Sequence, residues 1–130
     1  MERMNREELL ELIRQVGISS DEFVVLSSGA LVLRGIYESA GDLDIAVTRK
    51  GLEELSSKYN LIPKPGHDNW YIVNDRVECV LDDMEGKKEK VGEYYLQDIN
   101  DYLSYLESSE REKDKLRIPL VEEYIKGRSR

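Results

Sequence analysis

The chain has 130 residues, 40% of them hydrophobic, and carries a formal net charge of −8. That length predicts one domain with an ordinary small core. The acidic balance argues against broad binding to nucleic-acid backbone, which relies on a basic surface. It leaves room for a small basic patch that grips one RNA end, or for a cationic small molecule.

Asn5 to Gly17 reads as a helix, because Asn5 and Glu8 form a capping-box pair and Gly17 is a stop signal. Its apolar face is Leu9, Leu10, Leu12, Ile13 and Val16. Phe23 to Leu26 is the first strand, rich in β-prone valine. The small residues Ser27, Ser28 and Gly29 make a turn, and a short helix follows from Ala30 to Ile36, with Gly35 placed to end it. Leu43 to Thr48 is a second strand, and Gly51 to Tyr59 a helix with Leu52 and Leu55 inward. Asn60 to Asn69 carries Pro63, Pro65, Gly66 and a solvated His67, and reads as a loop.

Trp70 to Val73 and Arg76 to Leu81 form a hairpin with Asn74-Asp75 at its turn. Asp82, Asp83 and Glu85 before Gly86 read as a solvated acidic turn, and Lys87, Lys88 and Lys90 as a basic surface run. Gln97 to Glu110 is a helix with Ile99, Tyr102, Leu103 and Leu106 on one side. Glu110 to Leu116 is highly charged and can extend it. Pro119 suits the first turn of a last helix, Leu120 to Lys126, after which Gly127 and the Arg-Ser-Arg tail fray.

No apolar run approaches the roughly 20 residues of a membrane span. The segment Asn5 to Glu11 is charged, unlike a signal peptide. The single cysteine, Cys79, falls on the apolar side of its strand and reads as a buried free thiol. The expectation is a cytoplasmic α+β protein without repeats or an interdomain linker.

The chemistry concentrates between Val24 and Val47. Asp42 and Asp44 are two positions apart, so in a strand both carboxylates project from one face while Leu43 and Ile45 point into a core. Adjacent carboxylates repel and call for a cation. Hard oxygen ligands suit Mg²⁺, which takes one or two carboxylates plus substrate phosphates. Two such ions can stabilise the attacking and leaving oxygens of an in-line displacement. The Ser27-Ser28-Gly29 turn lets backbone approach a phosphate, and the serine hydroxyls can add hydrogen bonds to a triphosphate. In the second arm of the hairpin, Glu78 shares a face with Arg76, Val80 and Asp82, and is an acid within an otherwise apolar strand. It reads as the third carboxylate of the same metal site. No EF-hand-like run of ligands surrounds Asp42 and Asp44, which argues against a Ca²⁺ loop.

On Ser27, Ser28, Ala30, Leu31, Gly35, Asp42 and Asp44, with Glu78 as the later acid, the chain resembles the DNA polymerase β-type nucleotidyltransferase superfamily. It is most similar to small bacterial proteins of the lincosamide and aminoglycoside nucleotidyltransferase kind and to abortive-infection toxin-like ones. Arg111-Glu112-Lys113-Asp114 resembles an Arg-x-Lys-Asp segment on a C-terminal helix in such proteins, so the similarity runs over about residues 22–126. Ser27 stands where the family usually has its first glycine, and a positive φ there strains serine.

The resemblance implies a small mixed β-sheet with helices packed on one face, followed by C-terminal helices. It implies an Mg²⁺-dependent transfer of a nucleoside monophosphate from an NTP to an acceptor hydroxyl, with release of pyrophosphate. Asp42, Asp44 and Glu78 would be catalytic and hold the metal, with Glu78 also a candidate general base. Ser27, Ser28 and Gly29 would hold the nucleotide's triphosphate. Arg34 and Lys113 are candidates to offset phosphate charge. The acceptor stays open between a tRNA end, a protein and a small molecule. With few residues beyond the core, a homodimer or a partner protein would complete the acceptor site. The alternative is a non-catalytic nucleotide- or protein-binding module of toxin–antitoxin type that keeps the fold.

Overall fold

A computed structural model describes residues 3–128 of the chain. Among these residues the fold is α+β, with five α-helices and one seven-stranded mixed sheet. In chain order the elements are α1 (Arg6–Val16), β1 (Phe23–Val25), α2 (Ser27–Leu33), β2 (Leu43–Val47), α3 (Arg49–Lys58) and β3 (Ile62–Pro63). There follow β4 (Trp70–Ile72), β5 (Val77–Leu81), β6 (Lys88–Val91), β7 (Tyr94–Gln97), α4 (Ile99–Ser108) and α5 (Glu112–Arg128). The sheet order is β3-β4-β5-β2-β1-β7-β6. Two parallel pairs, β2–β5 and β1–β7, sit inside antiparallel neighbours.

The capping chemistry of α1 is the one its sequence announces. Asn5 accepts from the Glu8 N–H, Glu8 answers to the Asn5 N–H, and Gly17 takes the left-handed conformation at φ 69°. Thr48 and Asp98 cap α3 and α4 in the same manner, each accepting from a first-turn N–H.

Strand alternation divides the sheet into two unlike faces. Val25, Ile45, Val47, Val77, Cys79 and Leu96 point to the side covered by α1, α2 and α3, where Leu9, Ile13, Val16, Val32 and Leu55 meet them in one buried cluster. Burial pushes the Cys79 thiol up to about 11, which keeps it protonated. The opposite side is smaller and more open. There Val24, Leu26, Ala46 and Met84 are buried beside the partly exposed Trp70, Val80 and Tyr95. A third cluster joins α2 to α4 and α5 through Leu31, Ile99, Tyr102, Leu106 and Val121.

Several elements depart from the sequence reading. Ser27, Ser28 and Gly29 are the first turn of α2 rather than a turn before it. The Lys87–Lys90 run is not simply solvated surface, because Lys88 to Val91 forms a hairpin with Tyr94 to Gln97. β3 adds a two-residue strand within the expected loop. Pro119 lies inside α5 rather than opening a helix, and Gly127 and Arg128 stay helical. Proline removes the N–H that would bond the Lys115 carbonyl; Lys115 is exposed, so water can serve that carbonyl. The expected fraying of Ser129 and Arg130 falls outside the described residues. No helix among the described residues is long and apolar enough to cross a membrane.

Candidate functional site

The in-register parallel pairing of β2 and β5 sets Asp44 opposite Glu78, and so on the same face of the sheet. This is the open face. Asp42 lies two residues before Asp44 and is exposed. Backbone bonds fix the surroundings: the Leu43 N–H donates to the Arg76 carbonyl at 2.7 Å, and the Leu26 N–H to the Asp44 carbonyl at 2.9 Å. The second bond ties the start of α2 to the strand that carries the aspartates.

The electrostatics report how closely these groups gather. Asp44 is pushed up to about 6, first by burial, then by the charges of Asp42 and Glu78. Lys64 and Lys113 oppose the shift. Five charged side chains, three acidic and two basic, therefore act on one another at this point. Lys64 is bonded directly, its Nζ donating to Glu78 Oε1 at 2.6 Å. That bond is the main reason the ammonium's own proton affinity is raised. Among the described residues no three acid, histidine or cysteine side chains are drawn together as a metal-holding group. Glu78 is engaged with Lys64 through Oε1, and the hard oxygens of Asp42, Asp44 and Glu78 are of the kind that suits a divalent cation.

The start of α2 forms the neighbouring wall. Ser27 has φ 48°, in the left-handed region that favours glycine, so serine is strained at this turn. Its N–H donates to Gln97 Oε1 at 3.2 Å. Gly29 is buried, and a Cβ there would stand 3.0 Å from the Val25 side chain and 3.6 Å from Leu43. A side chain here would therefore need Val25 to give by a few tenths of an ångström. Ser28 Oγ accepts from Arg117 Nη2 at 3.0 Å, while Arg117 Nη1 donates to the Tyr102 hydroxyl at 2.8 Å. The same guanidinium lies over the Tyr37 ring, 5.3 Å from its centroid.

The structure thus brings Asp42, Glu78 and Lys113 within electrostatic reach of Asp44, and the Leu26–Asp44 backbone bond sets Ser27 and Ser28 close by, while Gly29 packs into the helix-covered core. Arg34 is placed elsewhere. Its side chain is only 1% exposed and is paired with Glu89, which Arg128 also holds through bonds of 3.0 and 3.1 Å. The Arg111–Asp114 segment divides its labour. Asp114 is buried and accepts from Arg111 and Ser109, fixing the start of α5, whereas Lys113 is exposed and its charge acts on Asp44.

Lys64, Gln97, Tyr102 and Arg117 were not singled out by sequence as site residues. Nothing local marks Lys64 or Gln97. Arg117 does carry a signal, because it is one helical turn after Lys113 on the same helix face, once the helix is known to start at Glu112. No protein-family model matches the chain, and no curated protein matches it.

Proposed function

We propose that the chain is a Mg²⁺-dependent nucleotidyltransferase that moves a nucleoside monophosphate from an NTP to an acceptor hydroxyl. The observation that carries this reading is Asp44: a half-buried carboxyl raised by burial and by two neighbouring acids, at the open face, next to a serine-lined turn. Acids gathered at a half-buried position repel one another, and a cation would offset that cost.

In this reading the acceptor oxygen attacks the α-phosphorus, the bond to the α–β bridging oxygen breaks, and pyrophosphate leaves. Asp42 and Asp44, with Glu78 beside them, would hold Mg²⁺, which would supply Lewis-acid stabilisation of the phosphoryl charge. Glu78 takes the acceptor proton on Oε2, the oxygen that Lys64 does not engage. Lys113 offsets charge that develops on the phosphates. A cytoplasmic location goes with this reading, since NTPs are found there, and a second copy or a partner protein would complete the acceptor site.

The test is label transfer. The protein is incubated with each α-labelled NTP and Mg²⁺, with RNA, antibiotic or protein acceptors, and pyrophosphate release is followed. The wild type transfers label, and the Asp42→Asn/Asp44→Asn double variant loses on the order of a thousand-fold. Absence of both label and pyrophosphate across all NTPs sinks the reading.

A second reading, a non-catalytic binding module of toxin–antitoxin type, has its own support. Ser27 is strained where glycine would be relaxed, and its N–H is already taken by Gln97. Tight protein binding without any NTP binding would favour it.

A further inference from the structure

Two arginines reach α2, and they are treated differently. Arg34 is buried and neutralised by Glu89. Arg117, from α5, reaches the first turn of α2, and its partners are the Tyr102 hydroxyl, the Ser28 hydroxyl and the Tyr37 ring. Among the described residues no carboxylate forms an ion pair with it within 4.0 Å. Asp114, which feels its charge, is already bonded by Arg111 and Ser109.

A half-buried guanidinium with a carboxylate near it but none bonded to it is incompletely compensated. Its planar fork suits two oxygens of a phosphate or carboxylate, which hydroxyl acceptors satisfy only in part. Tyr102 and Tyr37 fix the plane, so the group is pre-oriented at Ser28 and loses little freedom on binding. Lys113, one turn earlier on the same helix, acts by its charge on Asp44, so this α5 face carries two cations, one bonded to Ser28 at the start of α2 and one felt by the neighbouring aspartate.

We propose that Arg117 is a polyphosphate-binding residue of this site, exchanging the Ser28 hydroxyl for phosphoryl oxygens of the nucleotide while Tyr102 and Tyr37 hold its plane. The proposal rests on the nucleotidyltransferase reading and gives it a residue that the acids alone do not supply.

The experiment titrates the full chain by calorimetry with two probes, inorganic tripolyphosphate without metal and each NTP with Mg²⁺. The proteins are wild type, Arg117→Met, Arg117→Lys and Tyr102→Phe, with melting temperatures recorded for each. The expected result is at least ten-fold weaker binding of both probes to Arg117→Met, and intermediate losses for Arg117→Lys and Tyr102→Phe. Should Arg117→Met fail to fold, the Arg117→Lys and Tyr102→Phe affinities decide. Variant affinities within two-fold of wild type overturn the proposal: Arg117 is then only a brace between α5 and α2, and the nucleotidyltransferase reading stands. Arg117-dependent binding of tripolyphosphate without any NTP binding supports the anion site and removes that reading. Failure of the wild type to bind either probe overturns both.

Discussion

The two faces of the sheet are built from the same strands yet do different work. On the helix-covered face, Val25, Ile45, Cys79 and Leu96 are fully or almost fully buried, and the charged Glu89 at the edge is matched by Arg34 and Arg128. On the open face the alternate residues of the same strands include Asp44, Glu78, Tyr95 and Gln97. Lys88 and Lys90 lie 4.8 and 5.7 Å from the centre of the Tyr95 ring. Charge on the first face is balanced by opposite charge from two helices. On the second face three acids meet two lysines, and Asp44 is left with a raised proton affinity. The first pattern is what stability asks for. The second is what a ligand site asks for.

The largest stability effect is expected for Glu89→Gln, which leaves Arg34 buried without its carboxylate. Removing one partner of such a pair costs about 3 kcal/mol, and Glu89, at 25% side-chain exposure, retains some relief from solvent. Urea unfolding of the variant should show that loss; a change below about 0.5 kcal/mol would mean the brace is not needed.

Gly51→Ala comes next. A Cβ there would stand 2.5 Å from the Glu22 carbonyl oxygen and 3.2 Å from Val47, so backbone must move. Overpacking of this kind costs about 1–3 kcal/mol. A melting temperature equal to wild type would show that α3 can lift away from the β1–β2 pair.

Lys64→Met sits at the other extreme. Lys64 and Glu78 are 34% and 29% exposed, so their bond contributes little to folding, below about 1 kcal/mol. The effect should instead appear in metal affinity. Removing the ammonium frees Glu78 and strengthens Mn²⁺ binding, read by titration; unchanged or weaker binding would separate Lys64 from the site's charge balance.

How much of this was legible in the sequence depends on the range of the interactions. α1 was readable end to end, because Asn5, Glu8 and Gly17 act within a turn of their own positions. The β4–β5 hairpin and the alternation that sets Glu78 apart from Cys79 were likewise local. β6 and β7 were not readable, since Lys88, Glu89 and Lys90 look like surface charge until Arg34, Arg128 and Tyr95 arrive from distant parts of the chain. Pro119 misdirected the start of α5, because proline favours a first turn and its tolerance mid-helix depends on an exposed carbonyl one turn back. At the site, Asp44 and Glu78 follow from strand parity, whereas Asp42 lies in the bend just before β2 and acts on Asp44 by its charge. Lys64 and Arg117 come from loop and helix positions whose approach only the tertiary fold determines.

In the metal-binding reading Asp44 is held at a cost because a cation belongs beside it, and that cost shows in the pH dependence of stability. Its folded-state value of about 6 lies above the unfolded 3.8, so the folded protein binds the proton more tightly. Stability from this group is therefore complete below about pH 4, falls as pH rises toward 6, and levels off above it. Melting curves of wild type and Asp44→Asn across pH 4 to 8, with and without Mg²⁺, should coincide near pH 4 and separate by pH 7, the asparagine variant being the more stable. Mg²⁺ should raise the wild type at pH 7.5 and leave Asp44→Asn unchanged. Parallel profiles with no response to Mg²⁺ would contradict the claim and return these acids to the ordinary surface.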